Sequence, residues 1–431
     1  MTPAPQPTPQ AHTIRVAAAS RTYDVLVAPK VLHSLGEHLR RVTPAKRAHL
    51  ITDAVIPNAL LATARASLEF AGYAVTISTT PAEERHKSLD AAQRLLSELL
   101  AAGHERTDPV VTLGGGIVTD LAGFVAATYR RGVPVVHCPT TLLAMVDAAV
   151  GGKSGVNLPL SRATTTGGTS PSSESCPLSL MKNMVGAFWQ PHLVLCDADA
   201  LASLPARHLR AGMAECLKHA LLAAGLPAGA GQDAALWRWT LDHLDAALAL
   251  DHAAMSELIA RNIAVKAAVV ASDEREEAPS AAGGRALLNL GHTYAHAIET
   301  LEGLTPLGQA SSPPSTRHAL PPDSPPAAPF TLHHGEAVAL GLIAAAFASA
   351  QLGWLSAADA QLVRDAVARA GLPIALRGLP TNELLRQRMM HDKKTAGGAL
   401  RVILLKRLGE ASVVERPDAG VVDAGWDAIR Q

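Results

Sequence analysis

Residues 109–139 read PVVTLGGGIVTDLAGFVAATYRRGVPVVHCP. A short β-branched run enters a triple-glycine turn at Gly114, Gly115 and Gly116. Ile117–Ala127 then continues with helical spacing, and Val133–Pro139 returns to an apolar run of strand length. A strand, a helix and a second buried strand in this order make a crossover unit of a parallel sheet.

Working outward, Ala48–Asp53 (AHLITD) reads as a strand ending on an acid, Tyr73–Ser78 as another, and Leu89–Ala102 as a helix. From about Arg207 the pattern becomes helix after helix, with apolar positions three and four apart. Ala337–Ala350 is apolar but too short and alanine-rich to span a membrane, so it reads as a buried helix. The expected fold is an α/β N-terminal nucleotide-binding domain with a parallel sheet, followed by an all-α C-terminal domain. The boundaries are a disordered tail at 1–12, the α/β domain at 13–203 and the helical domain at 204–431. Two segments interrupt this order, Ser161–Leu180, rich in Ser, Thr and Gly, and the proline-rich Gly308–Pro329. Neither carries enough apolar surface to fold alone, so both read as flexible insertions. Glu277–Gly283 is a shorter one.

The 431 residues suffice for two domains, and 38 basic side chains balance 38 acidic ones. That balance gives no reason to expect a nucleic-acid partner. The N-terminal MTPAPQPTPQ has neither the basic nor the apolar region of a signal peptide. Cys138, Cys176, Cys196 and Cys216 show no metal-knuckle spacing and read as reduced thiols, consistent with a cytoplasmic protein.

A strand ending in glycines before a helix offers backbone N–H groups to a phosphate. The spacing from Gly114 to Asp120 is not GxGxxG, so a tight turn without ligand stays an alternative. Thr140 and Thr141 follow a strand and suit a helix cap, a ligand crevice or both. His292 and His296 lie four apart and share a helix face. No glutamate follows the first, which removes the HExxH protease reading. His334 heads a second helix and Glu215 lies within a third. One carboxylate and two imidazoles make a catalytic zinc set with coordination positions left open.

Six stretches in order carry a wider signal: LGGGIVTDLAGFVAATYRRGVPVVHCPTTLLAMVDAAVGGKSGVN, GMAECLKHALL, DEREE, RALLNLGHTYAHAIE, HHGEAVALG and DKKTAGGALRVILL. Together they resemble the 3-dehydroquinate synthases, within the sugar phosphate cyclases, over roughly Asp53 to Leu405. The resemblance implies an NAD+ site formed by Asp53, Glu84, Lys87, Gly114, Gly115, Gly116, Asp120, Thr140, Thr141, Lys182 and Ser203. Glu84 and Lys87 come from EERHKS, where the family has GExxKS. It implies Glu215, His292 and His334 as ligands of Zn2+, with Co2+ as an alternative metal. His333 is then a neighbour, and His296 an imidazole outside the ligand set. Ala295 stands where the family usually has glycine.

The implied substrate is a sugar phosphate with a carboxylate at its other end. The resemblance surrounds it with Arg131, Asp147, Lys153, Asn183, Lys218, Lys266, Arg285, Asn289, His296 and either Lys393 or Lys394. The implied reaction turns 3-deoxy-D-arabino-heptulosonate 7-phosphate into 3-dehydroquinate and phosphate, with NAD+ regenerated each turnover. His296 and Glu276 are the implied proton carriers, beside Lys153, Lys218 and Arg285. The implied assembly is a homodimer in which Arg131 reaches the neighbour's site. A metal-dependent NAD polyol dehydrogenase would need the turn and the metal but not the cations. Another sugar phosphate cyclase would need both, and Lys266, Arg285 and Asn289 favour the carboxylate-bearing substrate. An inactive relative kept for binding is the third alternative, because residues 161–180 separate Lys153 from Lys182 and Asn183.

Overall fold

A computed structural model describes residues 11–160, 179–227, 229, 231–278, 284–308, 331–392 and 399–431. Nearly all of the expected tail, most of both long insertions and residues 279–283 lie outside the described residues. The chain starts with the antiparallel hairpin β1 (His12–Ala17) and β2 (Thr22–Val27). An alternating series follows: α1 (Leu35–Val42), β3 (Arg47–Asp53), α2 (Asn58–Phe70), β4 (Ala74–Thr80) and α3 (Leu89–Ala101). Next come β5 (Val110–Gly114), α4 (Gly116–Thr128), β6 (Val135–Pro139), the hairpin β7 (Lys153–Leu160) and β8 (Ser179–Phe188), and β9 (Leu193–Cys196). The remainder is mainly helical: α5 (Ala206–Ala220), α6 (Leu236–Leu248), α7 (His252–Ser272) and α8 (His292–Glu299) precede the short β10 (Thr305–Leu307). Then follow α9 (His334–Gln351), α10 (Ala357–Arg369), β11 (Ala375–Arg377), α11 (Asn382–Asp392), β12 (Arg401–Arg407), β13 (Glu410–Glu415) and α12 (Ala419–Ala428).

Two compact units result. The α/β unit, residues 30–140 and 148–196, contains parallel strands in the order β9-β6-β5-β3-β4. Strands buried on both faces need near-continuous apolar runs, which Val110–Leu113 and Val135–Val136 supply. Val118, Leu121 and Val125 of α4 join Leu95 and Leu99 of α3, Val110, Val135 and Val156 in one buried core. The order reverses between β3 and β5. In open α/β sheets that reversal opens the ligand crevice at the carboxyl ends of the strands. Asp53 ends β3 and the glycine turn ends β5.

The helical unit contains residues 1–29, 141–147 and 197–431. Its centre is α9, buried from Gly335 to Ala346 and packed by α5, α8, α10 and α12. Small side chains permit the closeness: a Cβ on Gly335 would come 2.1 Å from Ala211 O, and one on Gly341 would come 2.1 Å from Gly291 O.

Two differences from the sequence reading stand out. The division is not a single cut at 203–204, because the β1–β2 hairpin packs on α7 and groups with the helical unit. The C-terminal region is helical but also carries the antiparallel ladders β10–β11 and β12–β13.

Candidate functional site

Within the α/β unit the crevice residues converge. The Thr140 N–H donates to Gly114 O at 3.0 Å, which draws the end of β6 against the turn. A Cβ on Gly114 would sit 3.2 Å from Asp53 Oδ2, so acid and turn face each other closely. Gly115 is the N-cap of α4 without a capping side chain, which leaves that helix N-terminus to an anion. Burial pushes the Asp53 carboxyl up, partly offset by the N–H groups of Val55 and Ile56. Lys87, almost wholly buried, extends its ammonium to Asp120 and to the side-chain oxygen of Asn183. Glu84 accepts from the Asn157 amide at 2.7 Å. Lys182 is half-buried, while Lys153 and Arg131 are exposed. Of the residues implied for NAD+, Thr141 and Ser203 belong to the helical unit. The Thr141 hydroxyl accepts the Ala144 N–H at 3.1 Å, so the capping role anticipated for it is present.

Within the helical unit the second set assembles from the ends and middles of helices. Glu215 sits in α5 with no exposure, while His292 and His334 are the first residues of α8 and α9. Gly291, φ 78°, turns the chain into α8, a left-handed conformation that suits glycine. His292 Nε2 and His334 Nε2 lie 3.5 and 3.7 Å from Glu215 Oε1. Tetrahedral zinc with bonds of about 2.1 Å separates its ligand atoms by about 3.4 Å. The three donors, all within 4.8 Å of one another, therefore fit a shared cation better than direct hydrogen bonds. The other Glu215 oxygen takes the Lys218 ammonium.

Burial raises the Glu215 carboxyl, but Lys218 and the two histidines outweigh it and hold the group well below the carboxylate range. Burial takes His292 down to about 3. It also disfavours charge on His334, but Glu215 and Glu299 overcome it and raise that imidazole to about 10. Asp147, Glu215 and His219 form another close group. Lys266 and Lys218 already neutralise its two carboxylates, so an added cation is not favoured there.

The polar wall beside these donors comes from α7 and residues 273–289. Lys266 reaches both the carboxylate and the carbonyl of Asp147. Burial lowers Lys266 to about 8, and Asp147 stays well below its usual value because Lys266 and Lys218 outweigh its own burial. Arg285, 2% exposed, donates to Glu274 O at 2.6 Å. Asn289 Nδ2 donates to Glu276 Oε1 at 3.3 Å. The His296 ring meets His292 edge-on, with centroids 5.6 Å apart. His333 lies outside the donor set and tilts against His208, 4.8 Å away. Lys393, Lys394 and Cys176 lie outside the described residues.

Sequence reasoning missed two supports. Asp273 accepts the backbone N–H groups of Arg285 at 3.0 Å and Glu277 at 2.9 Å, folding the segment that presents Arg285 and Glu276. Glu299 Oε2 lies 3.5 Å from His334 Nδ1, the carboxylate–imidazole pairing that orients metal-ligating histidines. Glu299 stands seven residues after His292 on one helix, the spacing that could have flagged it.

The chain is similar to known proteins over most of its length. The 3-dehydroquinate synthase N-terminal family model matches residues 77–171 and 172–211, and the C-terminal model matches 212–310 and 326–395. A 3-dehydroquinate synthase of Nitrobacter hamburgensis is 38% identical, over 93% of this chain and 91% of its own. One from Neisseria meningitidis is 36% identical, over 95% and 97%. Among solved structures, 2-epi-5-epi-valiolone synthase from Streptomyces hygroscopicus subsp. jinggangensis, with NAD+ and Zn2+ bound, superposes with a TM-score of 0.72 at 25% identity, covering 94% of this chain and 96% of that one.

Proposed function

The chain belongs to the 3-dehydroquinate synthase family, and we propose that it converts 3-deoxy-D-arabino-heptulosonate 7-phosphate to 3-dehydroquinate and phosphate. The observation that carries this reading is a fully buried carboxylate facing two imidazoles at metal-sharing distance, inside a wall of lysine and arginine. A polyol dehydrogenase has no use for that many desolvated cations; a substrate charged at both ends does.

When bound, NAD+ supplies a reversible hydride acceptor and zinc a Lewis acid for the alcohol oxygen. Glu215, His292 and His334 hold the metal. Asp53, Glu84, Lys87, the three glycines, Asp120, Thr140, Thr141, Lys182 and Ser203 hold the dinucleotide. Lys218, Lys266, Arg285 and Asn289, with Arg131, Lys153, Asn183 and one of Lys393 and Lys394, fix the phosphate and carboxylate ends. Asp147 keeps the Lys266 ammonium in place. His296 and Glu276 move protons at the carbons and oxygens undergoing elimination and ring closure. Fixing the substrate in register supplies much of the rate, because binding makes every later step effectively unimolecular.

The α/β unit supplies most of the nucleotide-binding residues, and the helical unit supplies the metal ligands and most of the substrate-binding residues. The working assembly is a homodimer with Arg131 directed at the neighbour's substrate, which light scattering on the intact chain tests. Cytoplasmic residence accords with the buried thiols of Cys138, Cys196 and Cys216. No described helix is long and apolar enough to cross a membrane.

The test is purified protein with the heptulosonate phosphate, NAD+ and zinc. Equal amounts of phosphate and dehydroquinate without accumulating NADH are expected. Net NADH would return the polyol dehydrogenase reading, and phosphate release with a different carbocycle the related cyclase.

A further inference from the structure

The β7–β8 hairpin breaks its ladder where Lys182 and Asn183 lie. Val156 pairs with Val185 and Leu158 with Met181, so Lys182, Asn183 and Met184 stand opposite the single residue Asn157. Such a bulge leaves backbone groups without ladder partners and re-aims side chains. Asn183 takes a left-handed conformation there, φ 57°, which asparagine adopts more readily than most residues.

Asn157 is 1% exposed, and its amide supplies what the ladder lacks. Its Oδ1 accepts the Asn183 N–H at 3.0 Å. Its Nδ2 donates to Glu84 twice, to the backbone oxygen at 3.1 Å and to Oε1 at 2.7 Å. Its own backbone N–H donates to Lys87 O at 2.7 Å. Lys87 closes the circuit by reaching the Asn183 side chain and Asp120. One buried amide thus joins the segment carrying Glu84 and Lys87 to the bulge carrying Lys182 and Asn183.

We propose that Asn157 is a positioning residue, a clamp that fixes the Glu84–Lys87 segment and the Lys182–Asn183 bulge in one geometry for the dinucleotide and the substrate. Its link to affinity rests on the NAD+ reading above; the clamp itself does not. The site uses one acceptor oxygen and two donated contacts on a short, uncharged side chain, which the asparagine amide provides and a hydroxyl with its single hydrogen does not. Aspartate keeps the acceptor for Asn183 but sets two carboxylate oxygens at hydrogen-bond distance. Leucine of similar size supplies neither group.

The experiment combines backbone amide hydrogen exchange on nucleotide-free protein with calorimetric titration of NAD+. It uses wild type, Asn157→Leu, Asn157→Asp, Glu84→Gln and the double variant Asn157→Asp/Glu84→Gln. Asn157→Leu should speed exchange of the Asn183 amide about tenfold or more, whereas Asn157→Asp should retain its protection. Asn157→Asp should weaken NAD+ binding about tenfold. In the Glu84→Gln background the same change should cost little, because the introduced amide then donates to the introduced carboxylate. Unchanged Asn183 exchange in a folded Asn157→Leu protein would overturn the clamp. So would an equal affinity penalty for Asn157→Asp in both backgrounds. If Asn157→Leu fails to fold, the isosteric Asn157→Asp pair of measurements decides alone. Wild-type protein without NAD+ affinity would refute the nucleotide reading, and the exchange rates would still judge the clamp.

Discussion

His334 shows how a single side chain can carry several roles at once. Its Nε2 faces Glu215, its Nδ1 faces Glu299, and it opens α9. Replacement with alanine leaves Glu215 and His292 as a two-ligand site, which binds zinc poorly. Metal analysis of His334→Ala should therefore show little zinc, together with no turnover; full zinc in an inactive protein would move the ligand role elsewhere, with His333 first to be tried. Away from the site, His49 reports on pH. It is buried between Thr76 and Ser78, and burial, with His104 adding and Glu98 opposing, takes it down to about 4. The unfolded chain, near 6.5, then binds more protons than the folded one between about pH 6.5 and 4. Stability is intact above that window and falls as pH drops through it, by about 3 kcal/mol from this group. Denaturant unfolding of His49→Gln at pH 7 and pH 4.5 should show a smaller acid loss than wild type; an equal loss would contradict the assignment. Residue types were legible in the sequence, but partnerships were not. Nothing in the spacing of Glu215, His292 and His334 brings them together, and the family resemblance supplied that grouping.

Among the elements, the N-terminus of α9 decides whether His334 is held still. Glu336, 1% exposed, accepts hydrogen bonds from Arg207 Nε at 2.6 Å and Nη2 at 2.7 Å, and from the His333 N–H at 2.8 Å. A reciprocal cap of this kind satisfies helix donors that otherwise lack partners. Glu336→Ala should lower stability by about 2 kcal/mol and weaken zinc retention, with Glu336→Gln milder. Unfolding midpoints and metal content measure both effects, and an unchanged midpoint with full zinc would remove the cap from the account. Strands β3, β5 and β6 and helices α3 and α4 could be read from the sequence because their apolar runs have the right period and length. The β7–β8 hairpin could not, since Gly155 and Pro159 interrupt any strand pattern and the pairing partner lies beyond the 161–178 segment. The packing of the β1–β2 hairpin on α7 groups it with the helices, a long-range contact that no local pattern in the sequence announces.

For the whole molecule, the family match passes over residues 311–325, inside the proline-rich segment that separates α8 from α9 in sequence. Loop-closure entropy changes slowly with length. A chain shortened there, with enough linker left to join the two helices, should keep its stability, zinc and turnover; zinc lost from a folded deletion protein would give the segment an active part. In the proposed reaction NAD+ is borrowed and returned on a scaffold that also expels phosphate. This borrowing is tested most directly by giving zinc-loaded protein one equivalent of NAD+ and a large excess of the heptulosonate phosphate. Many phosphates and an equal number of dehydroquinates should be released per NAD+, with no NADH left at the end. Phosphate release that stops after one turnover, or NADH formed in step with substrate loss, would contradict it.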